Sequence, residues 1–330
     1  MKKLTFEEIQ SVAIGVAYAT EEADGVFLHR FTPAQEQAYK ETSDEFYMKT
    51  KASAGIKLVF ETDAQHLQLG VCVSPGSKSR GFSFDVYAGD AHLGGINNWP
   101  EAGGLNGKHD LSFELGAGKK VVRIYLAWCA CLKISSLAVD ADAYIKPIKP
   151  SKKMLMFGDS VTHGFVAMRV NNTYAMRISE MLDAEARNKG IGGEVFFPAL
   201  AQCADEADFA PDYITIAYGS NDWGKKTPEQ FKADVRAFYG AISKQYPNAK
   251  IFAITPIWRA DEEIERPFGP FSDLEHYIRE CVQDIENVHV ITGYNLVPHD
   301  EKLYFDGLHP TDEGFGYYAE NLYREMQKYI

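Results

Sequence analysis

Long apolar runs are missing from this chain of 330 residues. No stretch approaches the ~18 consecutive apolar residues that a membrane-spanning helix needs, so a membrane span is not expected. Basic clusters are missing too. Lys and Arg total 34 against 46 Asp and Glu, a net charge of −12, which argues against nucleic acid or an anionic membrane as a partner. A disulfide framework is equally absent. The five cysteines, Cys72, Cys129, Cys131, Cys203 and Cys281, are odd in number and mostly set in apolar surroundings. They read as reduced thiols of a cytoplasmic protein. Cys129 and Cys131 have no Cys-x-x-Cys partner or nearby histidine, so no metal site is expected there. The N-terminus turns from Lys2-Lys3 to Glu7-Glu8 before an apolar core can form, which makes it a poor signal peptide. No internal repeat or low-complexity segment is present.

What is there suits a soluble globular protein. The apolar fraction is 45% and the charged fraction 24%, and the length exceeds a usual single core, so two domains are expected. The charge divides unevenly. Residues 151–330 carry 18 Lys and Arg against 28 Asp and Glu, whereas residues 1–150 are nearly balanced.

Residues 1–50 mix helical and extended signals, with Thr32-Pro33 opening a turn or short helix. From about residue 54 the pattern alternates. Ile56, Leu58 and Phe60 share one face; Leu67, Leu69, Val71 and Val73 another; Phe82, Phe84 and Val86 follow. Turns at Thr62-Asp63, Ser74-Pro75-Gly76 and Gly116-Ala117-Gly118 separate the runs. Short strands at this spacing predict a β-sandwich of jelly-roll type over residues 1–150. Within it, Trp99 sits in a Gly- and Asn-rich loop, either folded back on the sandwich or open to a sugar. Tyr144 to Lys153, with Pro147, Pro150 and four lysines, reads as an extended, solvated linker.

After residue 150 strand and helix patterns alternate. Met154-Leu155-Met156-Phe157 is a buried strand, Thr173 caps a helix, and Tyr213–Ala217, Ile251–Ile254 and Val288–Ile291 are further strands. Helices fall after Thr227-Pro228, from Ser272, and after Thr311 or Asp312. Repeated βα units predict a parallel sheet between helical layers.

Four blocks in this half fall at strand ends: Gly158-Asp159-Ser160, Gly190-Ile191-Gly192-Gly193, Ser220-Asn221-Asp222 and Asp306-Gly307-Leu308-His309. In open α/β sheets the carboxyl edge is where ligands bind. A serine hydroxyl needs a base within hydrogen-bond reach. His309 can take and return a proton near neutral pH, and Asp306, three residues earlier, can fix its tautomer. The Ser160 and Gly193 N–H groups and the Asn221 amide are available to an oxyanion. Each block also has a structural reading, as helix cap, turn or surface loop. Gly190-Ile191-Gly192-Gly193 lacks the third glycine of the dinucleotide fingerprint. Their joint occurrence, in this order, carries the chemistry.

In these four blocks residues 151–330 resemble the SGNH (GDSL-like) hydrolase superfamily, with Val161 where the Gly-Asp-Ser-Leu form has leucine. The resemblance implies a flavodoxin-like three-layer α/β/α domain and a serine esterase acting through an acyl-enzyme. It implies Ser160, Asp306 and His309 as catalytic residues, and Ser160, Gly193 and Asn221 as the oxyanion hole. A sandwich ahead of such a domain resembles carbohydrate acetylesterases. The expected substrate is therefore a small acylated, chiefly acetylated, carbohydrate such as an imported oligosaccharide. Trp223, just after the Asn221 block, is a candidate to stack on a sugar ring or wall the acyl pocket, with strand-end packing as the alternative; Trp258 and Arg259, in the loop after the strand at Ile251–Ile254, are candidates for substrate contact. No cofactor or metal is expected, and the oligomeric state stays open, a homo-oligomer included. The competing readings are a lysophospholipase or thioesterase, which needs an apolar acyl channel, and an inactive carbohydrate-binding scaffold.

Overall fold

The computed structural model describes residues 1–77, 83–97, 106–204, 206 and 208–330; Phe82 and Trp99 lie outside the described residues. Among the described residues, two six-stranded antiparallel sheets make up the N-terminal half. The alternating residues behave as their period demands: Ile56, Leu58, Phe60, Leu67 and Val71 are all fully buried and share one core with Val86, Ile124 and Leu132. Consecutive strands mostly change sheet. Lys57–Thr62 lies in one, His66–Pro75 in the other, Ser83–Ala88 back in the first.

The Thr32-Pro33 signal opens a helix, Pro33–Thr42, with Pro33 in the first turn and Thr32 in a capping box with Gln35. A second helix, Asp44–Thr50, follows at once behind the Ser43 cap. The expected linker is partly structured. Ile145–Pro147 pairs antiparallel with Phe60–Thr62 at a sheet edge, where a proline can end a strand. The first parallel strand then begins at Lys152.

Five parallel strands follow: Lys152–Gly158, Ala184–Asn188, Tyr213–Ala217, Lys250–Ile254 and Val288–Ile291. In chain order they lie second, first, third, fourth, fifth. This is the flavodoxin-like order, with its switch beside the first strand. Met154 and Met156 join the core below helices Tyr174–Met181 and Asp312–Met326, which is continuous with the sandwich core. Leu155 and Phe157 pack on the opposite face with Val235 and Phe238 of Pro228–Gln245. Among the described residues no helix is long and apolar enough to cross a membrane, and all five cysteines are free thiols.

Candidate active site

The first strand ends at Gly158 and the chain turns straight into a four-residue helix, Ser160–His163. The cap and the hydroxyl chemistry fall on different residues. Asp159 is the cap, its Oδ1 accepting from the Val161 N–H at 3.0 Å. That leaves the Ser160 hydroxyl to face the His309 ring, with Oγ 2.8 Å from Nε2. Ser160 is 8% exposed, so its oxygen sits at the floor of the edge.

His309 is delivered by a tight turn. The Phe305 N–H donates to the His309 carbonyl at 2.8 Å, and Tyr304 bridges to Pro310. Gly307 takes φ +77° inside this turn, and a Cβ there would come within 2.9 Å of Ala260 Cβ, so only glycine suits it. Asp306 Oδ1 accepts from the backbone N–H groups of Leu308 (3.2 Å) and His309 (2.9 Å), while Oδ2 lies 2.8 Å from His309 Nδ1. Partial burial alone would raise the Asp306 pKa. The ring and backbone N–H donors outweigh it and hold the carboxyl at about 2. An ionised Asp306 accepts only, so Nδ1 carries the proton and Nε2 is left to accept from Ser160. The Phe165 ring packs 5.0 Å from the imidazole.

The Ser160 N–H is the first of its helix and has no acceptor within it. Gly193 takes φ +86°, a conformation that presents its N–H without Cβ strain. One amide hydrogen of Asn221 goes to the Glu194 carbonyl at 3.0 Å; the other lies a long 3.4 Å from Asp159 Oδ2, weak enough to be given up to a stronger acceptor. Asp159 is 5% exposed, and burial pushes its carboxyl up to about 6. The arrangement thus brings Ser160, His309 and Asp306 into one hydrogen-bonded chain; Asn221 reaches Asp159, the residue before the serine, and a Cβ on Gly192, the neighbour of Gly193, would lie 3.8 Å from Ser160 Cβ.

The three candidates for substrate contact are placed differently. Trp223 is 1% exposed, its Nε1–H donating to the Gly269 carbonyl at 2.8 Å and its ring covered by the Arg266 guanidinium 4.1 Å away. This corrects the stacking expectation, because no ring face is open to a sugar. Arg259 pairs with Asp261 at 2.9 Å and donates to the Ser220 hydroxyl at 3.0 Å. Trp258 is half-buried, stacked on His299 with centroids 5.4 Å apart and set edge-on to Tyr304. The contacts of all three run to these neighbours rather than to the triad.

Residues to which the sequence assigned no role in the site surround the glycine loop. His163 is buried, accepts from the Gly192 N–H at 3.2 Å through Nδ1, and lies 2.6 Å from the Trp128 carbonyl through Nε2. Burial, then the Arg30 charge, pushes its pKa well below the ordinary imidazole value, which excludes it as a cation and leaves Nε2–H as the donor. Glu194 is buried between the hydroxyls of Tyr39 and Tyr218. Burial pushes its carboxyl to about 8. Lys49 donates to the Gly192 carbonyl at 2.6 Å and Lys225 to the Gly193 carbonyl at 2.6 Å. Tyr39 and Lys49 come from the N-terminal helices, and sequence spacing carries no signal for contacts across about 150 positions.

Residues 156–316 match the GDSL-like Lipase/Acylhydrolase family. No curated protein matches the sequence. Among solved structures the fold is shared with a salicylyl-acyltransferase from a tetracycline biosynthetic pathway (TM-score 0.81, 19% identity, covering 96% of this chain and 94% of that one). It is shared also with an acetyl xylan esterase from the rumen bacterium Butyrivibrio proteoclasticus (0.69, 16%, 99% and 98%). A third likeness is to a family two carbohydrate esterase from Clostridium thermocellum (0.67, 14%, 84% and 93%). At these identities the likeness is one of fold.

Proposed function

We propose that this chain, whose residues 156–316 form a GDSL-like lipase/acylhydrolase domain, is a serine esterase that removes acetyl or other small acyl groups from a carbohydrate. The observation that carries the reading is the unbroken line from Ser160 Oγ through His309 Nε2 and Nδ1 to Asp306, with 2.8 Å at each link. In this reading His309 takes the hydroxyl proton as Oγ attacks the ester carbonyl carbon. The resulting oxyanion is met by the Ser160 and Gly193 N–H groups and by the Asn221 amide. The imidazolium is held by ionised Asp306 and returns its proton to the departing sugar oxygen, leaving an acyl-enzyme. Water then repeats the sequence: His309 removes its proton, hydroxide adds to the acyl carbon, and Oγ leaves with the proton as carboxylic acid is released.

The cavity bounded by Asp159, Val161, Ser220, Ile257 and Leu308, next to the nucleophile's turn, holds about 20 Å³, roughly one water, and so has no room for a long acyl chain. A carbohydrate leaving group is supported by the shared two-domain fold of the acetyl xylan esterase. Trp258, half-buried in the loop after the fourth strand, is the remaining aromatic candidate for sugar contact. The test is acetate release from acetylated xylo- and manno-oligosaccharides, with acetyl and octanoyl p-nitrophenyl esters alongside. Acetyl turnover that vanishes in Ser160→Ala is expected. Wild-type rates in that variant, or a preference for octanoyl, would overturn the proposal.

A further inference from the structure

The carbonyl and N–H of a trans peptide point in opposite directions, so the Gly192 carbonyl and the Gly193 N–H are two ends of one rigid unit. In the serine-esterase reading the N–H end is the one offered to an oxyanion. The carbonyl end is gripped by the other half of the molecule: Lys49, on helix Asp44–Thr50, donates to it at 2.6 Å and pairs with Glu45 at 2.7 Å. The Lys49 side chain is 9% exposed. A Cβ on Gly193 would lie 3.9 Å from Lys49 Nζ and 4.0 Å from the Phe46 ring, so this helix lies directly against the peptide. Both flanking residues are glycine, which leaves the peptide free to rotate unless its ends are held. A buried charged donor on the carbonyl fixes that rotation. It also draws electron density toward the oxygen, which makes the N–H at the other end a stronger donor.

We propose that Lys49 is a positioning residue for catalysis, supplied by the N-terminal half, that orients and polarises the Gly192–Gly193 peptide toward the oxyanion. This rests on the serine-esterase reading, because only there does the Gly193 N–H meet developing charge. Lys225 supplies an internal comparison. Its ammonium donates to the carbonyl of the next peptide, Gly193–Glu194, at 2.6 Å. The N–H of that peptide is already committed to the Ile191 carbonyl at 3.1 Å.

The experiment measures kcat and KM for p-nitrophenyl acetate in wild type, Lys49→Met, Lys49→Arg and Lys225→Met, with competent sites counted by fluorophosphonate labelling. Lys49→Met is expected to lose about ten- to a hundredfold in kcat with KM little changed, short of the ~10²–10³ that follows deletion of a whole oxyanion donor. Lys49→Arg, still able to donate to the carbonyl, keeps most of the rate, and Lys225→Met stays within about twofold of wild type on the same scale. A wild-type kcat in Lys49→Met overturns the proposal. Equal losses in Lys49→Met and Lys225→Met, or in Lys49→Met and Lys49→Arg, overturn it too. If Lys49→Met does not fold, Lys49→Gln decides by the same criterion. A wild-type protein that neither hydrolyses the ester nor takes the label fails the esterase reading itself, and the Lys49 proposal falls with it.

Discussion

Glu194→Gln removes a buried carboxyl while keeping its shape, and its effect on stability should change steadily with pH. Burial lifts the carboxyl from an ordinary value of 4.5 to about 8, against the pull of the Tyr39 and Tyr218 hydroxyls and the Arg30 charge. Between those values the folded chain keeps a proton that the unfolded chain has released. The carboxyl's contribution is therefore complete below about pH 4.5 and is lost as pH rises through 8. The slope is about −1.4 kcal/mol per pH unit, so the folded state gives up roughly 3 kcal/mol between pH 5.5 and 8 through this one group. Glutamine does not titrate, and its amide can still meet both phenols, since a tyrosine hydroxyl donates or accepts. Urea unfolding of both proteins across that range isolates the effect, because Asp159, held at about 6, titrates in each. The stability of Glu194→Gln relative to wild type should rise by about 3 kcal/mol from pH 5.5 to 8. A difference that stays flat refutes the assignment of a neutral, proton-bearing Glu194 at pH 7.

Other outcomes follow from the same contacts. Asn221→Ala should lower kcat by ~10²–10³ with little change in KM, and an unchanged kcat would remove that amide from the oxyanion site. His163→Leu strands the Gly192 N–H and removes the donor to the Trp128 carbonyl, the orphaned buried N–H alone costing ~1–3 kcal/mol; a melting temperature equal to wild type would refute the bracing role. Trp223→Phe loses the bond to Gly269 and should cost about 1–3 kcal/mol of stability while leaving KM for acetylated oligosaccharides unchanged. A raised KM would reopen the sugar-contact reading.

Among the described residues the block from Asp306 to His309 follows no strand, only an isolated bridge from Tyr304 to Pro310. Two of the other blocks follow strands that announced themselves by apolar or β-branched sequence, Met154 to Phe157 and Tyr213 to Ala217. Ala184–Asn188 did not. Its residues, Ala-Glu-Ala-Arg-Asn, have no strand preference, and the segment is extended only because the first strand pairs along its length. Caps such as Thr173, and Thr311 with Asp312 as its alternative, were readable from local chemistry, which acts within three residues. Trp223 was not decided by local pattern. Its position after Asn221 suited substrate contact as well as strand-end packing, and Arg266 and Phe271 arrive from a distant loop to cover it. The braces from Tyr39, Lys49 and His163 depend on how two halves dock, which no local pattern encodes.

Arg30 shows what that docking means for the chain as a whole. Its guanidinium is 1% exposed and donates to four carbonyls, Lys49 and Ala52 on one side and Asn188 and Gly190 on the other. A cut near residue 150 would leave the later pair facing water and the glycine loop without its template. The halves are therefore poor modules for exchange or separate expression. Since the N-terminal portion emerges first during synthesis, the guanidinium is in place before the loop it shapes has been made.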